Sequence, residues 1–231
     1  QKRVEGHNFD IRKHLIDFDN VMNTQRDIIY KERNKILDTD DLQDYFLEII
    51  YEVIENIVWE YCPEKAHSSE WDIDGLIDKF YKTFGVDLIK HKTEMLSRNS
   101  QETLYDYLAD EGKRALSNKI NEIEKEYIKY VLRMVMLNTL DSNWKDHLYN
   151  LDYLKEGIHL QGWASKDPVV AYKNQSMQMF TLMIKNVKEC IVEYMFKLKT
   201  TVRSTEIQSN YNISELKHSE TDAFSQPAES A

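Results

Sequence analysis

The stretch LNTLDSNWKDHLYNLDYLKEGIHL, residues 137–160, decides the fold. Its large apolar residues Leu137, Leu140, Trp144, Leu148, Leu151, Leu154 and Ile158 step by 3, 4, 4, 3, 3 and 4. Such spacing places them on one face of a helix and fits no strand. Gly162-Trp163-Ala164-Ser165-Lys166-Asp167-Pro168 then interrupts the pattern, and Asp167 followed by Pro168 is a helix cap and a first-turn residue. A second stripe follows in Met177, Phe180, Ile184, Val187, Ile191, Tyr194 and Leu198. Two long stripes joined by a short break predict an antiparallel helical hairpin.

Toward the N-terminus, Ile11, Leu15, Phe18, Met22, Ile29 and Ile36 mark one face of a helix from about Asn8 to Leu37, with Gln25 and Arg33 as polar breaks and Asn8 as a candidate cap. A helix of about 30 residues spans roughly 45 Å, the length of a strut. Asp38-Thr39-Asp40-Asp41 ends it. Leu42, Phe46, Ile49, Val53 and Ile57 define the next helix, stopped at Cys62-Pro63. After a loop at residues 67–69, Asp72 caps a short helix carrying Leu76, Ile77 and Phe80, and Phe84-Gly85 closes it. Residues 86–103 are weakly patterned; helix resumes after them and is strongest from about Ser117 to Leu160. Residues 201–231 are rich in Ser, Thr, Asn, Gln and Glu and read as a disordered tail. The expected class is all-α: a long helix and an antiparallel hairpin, with a small helical subdomain inserted between them.

Composition supports this and excludes several functions. Six Gly and three Pro in 231 residues are too few for a turn-dense β-sandwich. Forty acidic against thirty basic side chains give a formal charge of −10, which disfavours a nucleic-acid module. No run of 18 apolar residues and no signal peptide occurs. Cys62 and Cys190 match no metal spacing and read as reduced thiols of a cytosolic protein. The chain opens at Gln1 directly into a helical pattern and reads as a piece of a longer protein.

No glycine lies in a phosphate-binding loop, so no ATP site is expected in this chain, and no Ser or Cys has a nucleophile signature. Glu156 and His159 have the Glu-x-x-His spacing of di-iron bundles but lack the second pair; Asp146 is directly adjacent to His147, so both histidines are expected to cap or border the hairpin core. Asp72-Ile73-Asp74-Gly75 begins like a calcium loop and lacks the rest, so a capped helix start is the better reading. Of Met177, Met179 and Met183, most are expected in the core. Trp163 stands in the turn, where no stripe buries it: it either tucks back or meets a partner.

Longer motifs carry a family likeness. Asn8-Phe9-Asp10-Ile11-Arg12-Lys13, Asp19-Asn20-Val21-Met22-Asn23 and Gln25-Arg26 resemble the start of the helical scaffold of SecA, the bacterial motor ATPases of protein secretion. The stretches from Leu140 to Leu148 and from Tyr153 to Pro168 resemble the same family, and Trp71-Asp72-Ile73 with Gly75-Leu76 resembles its helical wing. The likeness covers roughly residues 1–200.

The resemblance implies a long scaffold helix (1–39), a helical wing (40–125), a two-helix finger (126–200) and a C-terminal linker (201–231). It implies that the finger tip, Gln161, Gly162, Trp163, Ala164, Ser165 and Lys166, meets the polypeptide and the channel. Trp163 stands where Tyr is frequent in the family, and Gln161 where Arg is frequent, so one tip charge is lost. Arg12, Lys13, Asp19 and Arg26 are the implied contacts to the motor domains, against the alternative of a solvated helix face. The implied partners are a SecY-type channel complex, unfolded preprotein, the protein's own motor domains, an anionic membrane surface reached through the whole protein, and a second copy in a homodimer; nucleic acid is not among them. The implied location is cytoplasmic and peripheral on the inner membrane. No catalytic site, metal or cofactor is expected in this chain; ATP and Mg belong to motor domains outside it, and the family's cysteine-rich zinc element is not in this sequence. Two other readings remain at this stage: a stand-alone helical adaptor without a translocation role, and a metal enzyme built on Glu156 and His159.

Overall fold

A computed structural model of the chain describes residues 2–98, 100–161 and 167–198. Among them the regular structure is entirely helical, as the class read from the sequence requires. The α-helices are α1 (Lys2–Asp38), α2 (Leu42–Tyr61), α3 (Ile73–Phe84), α4 (Lys92–Leu96), α5 (Gln101–Asn121), α6 (Lys125–Gln161) and α7 (Pro168–Lys197). Short 3-10 turns at Ser68–Glu70 and Ile89–His91 fill two connections. The tail at 201–231 lies outside the described residues.

Local chemistry sets most of the helix ends. Asp41 accepts from the Asp44 N–H, Asp72 from Gly75, Ser100 from Thr103 and Asp167 from Val169, each occupying a backbone donor the first turn leaves open. Gly85 closes α3 at φ 70°, a left-handed conformation that glycine adopts without the Cβ penalty. At the end of α1 the cap comes from another helix. The Arg133 guanidinium of α6 donates to the carbonyls of Ile36 at 3.3 Å and Thr39 at 3.2 Å. A cation on those carbonyls also complements the negative end of the helix dipole.

Two expectations are corrected. The first helix starts at Lys2, so Asn8 is an interior residue and no cap. The strong helical signal from Ser117 onward is two helices, broken at residues 122–124 without Gly or Pro. Tertiary contacts make that break. Lys119 is buried at the end of α5, where its ammonium donates to Glu122 Oε2 at 2.9 Å and to the carbonyl of Leu198 beyond α7, while Ile123 turns into the core.

α6 and α7 form the antiparallel hairpin and α1 packs along both of them. α2 packs on α3, α5, α6 and α7. The main core runs from Ile29 and Ile36 of α1 through Phe46, Ile50 and Ile54 of α2, Phe80 of α3, Leu104 and Leu108 of α5, to Leu140, Trp144, Phe180 and Met195 of the hairpin. Gly112 lets α2 approach α5 closely: a Cβ there would lie 2.7 Å from Ile54 Cδ1. Ion pairs Lys79–Glu189 (2.8 Å), Lys185–Glu60 (3.2 Å) and Lys188–Glu52 tie α3 and α2 to α7. The Phe84 ring meets Phe196 edge-on, with centroids 5.4 Å apart.

Candidate functional site

The loop end of the hairpin is the first candidate. Gln161 closes α6, and residues 162–166, which hold Gly162, Trp163, Ala164, Ser165 and Lys166, lie outside the described residues. What flanks the loop is well defined. Ile158 of α6 and Val169 and Tyr172 of α7 bury themselves against Phe18 of α1. The Phe18 and Tyr172 rings are tilted by 51° with centroids 4.6 Å apart. Lys155 of α6 reaches Asp19 of α1 at 3.4 Å. α1 therefore grips both hairpin helices close to the loop.

The charged residues of α1 are not equivalent. Arg12 and Lys13 are exposed. Asp19 is engaged by Lys155, and Arg26 donates to Asn23 Oδ1 at 3.3 Å on its own helix. Arg33, which breaks the apolar stripe in the sequence, pairs with Asp141 of α6 at 3.3 Å.

Gln25, the other break, is in the core. It is 4% exposed, beside His147 of α6 at 3% and Ser176 of α7 at 0%. His147 Nε2 donates to Gln25 Oε1 at 2.8 Å, and Gln25 Nε2 donates to the Ser176 backbone carbonyl at 3.2 Å. Because that amide oxygen can only accept, the imidazole carries its proton on Nε2. Ser176 Oγ donates to the Lys173 carbonyl at 3.1 Å. Burial pushes the His147 pKa below its usual value and favours the neutral ring. Trp144 and Phe180 cover His147, with ring centroids 5.6 and 5.7 Å away. One glutamine thus joins three helices in a buried polar layer between two apolar clusters.

From the sequence alone His147 is expected to cap or border the core and Gln25 to interrupt a stripe, while Ser176 is not singled out. A signal for Gln25 and Ser176 was available: Phe18, Met22, Gln25 and Ile29 step by 4, 3 and 4, and Tyr172, Ser176 and Phe180 by 4 and 4. Of the three methionines, Met183 is buried, while Met177 is exposed and takes no part in the core.

Other chemistries find little support. Among the described residues no group of three or more His, Cys, Asp and Glu is placed to hold a metal, and Glu156 is exposed. Cys62 and Cys190 are not bonded to each other. Burial, with Asp72 nearby, pushes the Cys62 thiol up to about 12, which keeps it protonated and unreactive. Among the described residues no helix is long and apolar enough to cross a membrane.

Fold and polar layer define a class: an all-helical scaffold in which a long spine helix packs along a two-helix hairpin and further helices pack beside them. Comparison with known proteins narrows this. The chain belongs to the SecA family: the description SecA Wing and Scaffold domain matches residues 1–199. It is 42% identical over 193 residues to a protein translocase subunit SecA of Syntrophus aciditrophicus, covering 84% of this chain and 23% of that protein. It is 40% identical over 196 residues to the SecA of Trichlorobacter lovleyi, covering 85% and 22%. With the SecA of Carboxydothermus hydrogenoformans it shares 36% over 222 residues, 95% and 25%. The chain spans about a quarter of the length of these relatives. The stand-alone adaptor reading gains nothing from these comparisons.

Proposed function

We propose that this chain is the part of a SecA-type preprotein translocase that carries motion from the motor to the moving polypeptide. The supporting observation is the joint between α1 and the hairpin: Gln25 bonds to His147 on one hairpin helix and to Ser176 on the other. A spine held to both helices at a buried polar point, and again at Phe18 and Asp19, shifts the hairpin as a body when the spine is displaced. In this reading ATP and Mg act in motor domains outside this chain, whose own part is mechanical.

In this reading residues 1–39 are the scaffold helix, 40–125 the wing and 126–200 the finger. Arg12 and Lys13 face the motor domains, together with those parts of Asp19 and Arg26 that their local partners leave accessible. The tip, Gln161 to Lys166, meets unfolded preprotein at the mouth of a SecY-type channel, on the cytoplasmic face of the membrane. Trp163 supplies a large amphipathic surface that grips an extended peptide whatever its sequence. With Gln161 in place of a cation the tip carries one charge fewer, and Trp163 supplies van der Waals contact beside the ammonium of Lys166.

A photo-reactive group at position 163 of the whole translocase tests this, with a stalled preprotein and the reconstituted channel. Adducts to the preprotein are expected. Adducts from control positions but none from 163 would make the hairpin a structural brace and refute the tip role.

A further inference from the structure

α2 and α5 line a hollow that the translocation reading does not use. Trp59 is 67% exposed, the most exposed tryptophan among the described residues. It stands with Glu55 on α2, facing Glu102 and Tyr105 on α5, around a hollow of about 250 Å3 floored by Val58. A second hollow of about 820 Å3, lined by Trp71 and Glu64, shares Gln101 and Glu102 with the first, so the two adjoin in a groove along these residues. The Trp71 indole N–H is buried and has no acceptor.

The charges along this groove are unbalanced. On the same helix, Glu52 and Glu60 are matched by Lys188 and Lys185 of α7. Among the described residues Glu55, Glu64 and Glu102 enter no comparable pair, and no Lys or Arg side chain lines either hollow. Carboxylates beside the open ring of Trp59 and the half-buried ring of Tyr105 form an environment that attracts a cation, through the ring faces and through charge. Burial raises the Tyr105 pKa, and the neighbouring Glu55 carboxylate adds to it. Arginine fits better than lysine, because a planar guanidinium stacks on an aromatic face while it bonds a carboxylate in two places.

We propose that this groove binds a cationic segment of a protein partner, with one arginine side chain seated between Trp59 and Tyr105 against Glu55 and Glu102, and the flanking backbone running past Trp71. The volume of the two adjoining hollows argues for a peptide segment and against a small ion. The chain's formal charge of −10 favours the encounter over a wide surface. The inference stands independently of the function proposed for the finger.

The test uses the 231-residue chain and two probes, acetyl-Ala-Arg-Ala-Arg-Ala-amide and its counterpart with Glu for Arg, followed through tryptophan indole N–H resonances. The arginine peptide is expected to shift the Trp59 and Trp71 signals saturably and leave buried Trp144 unmoved, with an affinity that falls as salt is raised. Trp59→Ala is expected to weaken binding about tenfold, and the paired Glu55→Gln, Glu102→Gln variant to remove most of the salt dependence. All three positions are exposed, and an unchanged far-ultraviolet circular dichroism spectrum checks the fold of each variant. No saturable shift at millimolar peptide, an equal response to the glutamate peptide, or unchanged affinity in Trp59→Ala would overturn the proposal. Shifts that follow protein concentration without peptide would show a second copy of the chain in the groove, and would overturn it equally.

Discussion

The two ends of the hairpin are held by very different amounts of structure. Away from the loop, α6 and α7 share a continuous core with α1, α2, α3 and α5, reaching from Ile29 to Met195. Near the loop, among the described residues, the hairpin leans on α1, through Phe18, Ile158, Val169 and Tyr172 and one half-exposed ion pair. Between them lies the layer of Gln25, His147 and Ser176. The difference shows where the projection gets its rigidity. A small satellite core can open locally at low cost, and an exposed ion pair adds little. The buried polar layer is what holds the spine in register with both hairpin helices, because slippage along the helix axis would leave its donors and acceptors unpaired.

Equal chemistry at the two ends breaks this comparison most sharply. Phe80→Ala, in the main core, is expected to lower global stability by about 3–5 kcal/mol in urea unfolding, since its ring is fully buried and stacks on Phe84 with centroids 4.4 Å apart. Phe18→Ala deletes an equally buried ring, yet is expected to cost clearly less in the global transition and to accelerate amide exchange in residues 148–158 and 168–175 instead. Equal global losses would mean that the hairpin unfolds as one unit with the main core.

Gln25→Ala comes next. It strands the His147 N–H and the Ser176 carbonyl in a dry layer, an expected cost of about 1–3 kcal/mol by the same measurement. Gln25→Glu should not rescue it, because a carboxylate cannot donate to the Ser176 carbonyl.

The smallest effect is a pH dependence. His147 has its folded pKa lowered from 6.5, so below that value the unfolded chain takes up a proton that the folded chain resists. Its neutral, hydrogen-bonded form is favoured at pH 7, and stability is expected to fall as pH drops through 6.5 toward the lowered value. The check is the difference between wild type and His147→Gln over pH 5.5–7.5, which cancels the carboxylates. The wild type should lose stability relative to the variant on acidification, by less than about 1.4 kcal/mol per pH unit. A flat difference would mean that water reaches the ring.

Much of this architecture was legible in the residue order. Asp72, Gly85, Cys62-Pro63 and Asp167-Pro168 act within a few residues of themselves, so their roles as caps and stops follow from local chemistry alone. The hairpin was legible from apolar spacing, because α6 and α7 bury stripes near those the pattern marks. What the order concealed depends on distant partners. Gln25 looks like an interruption until His147, 122 positions away, and Ser176, 151 positions away, are brought beside it. The break between α5 and α6 has no breaker residue; it exists because Lys119 finds the end of α7, 79 positions away. Of the tip residues named from the family likeness, 162–166 lie outside the described part of the chain, and the role of the tip is for the cross-linking experiment to decide.

Hydrogen exchange on wild type and Gln25→Ala, compared residue by residue, tests the central claim most directly: that the polar layer is what fixes the hairpin to its spine. The account predicts selective loss of protection in residues 148–158 and 168–175 and in α1 before Gln25, with α2, α3 and α5 unchanged. Uniform loss across all helices, or none in the hairpin, would contradict it.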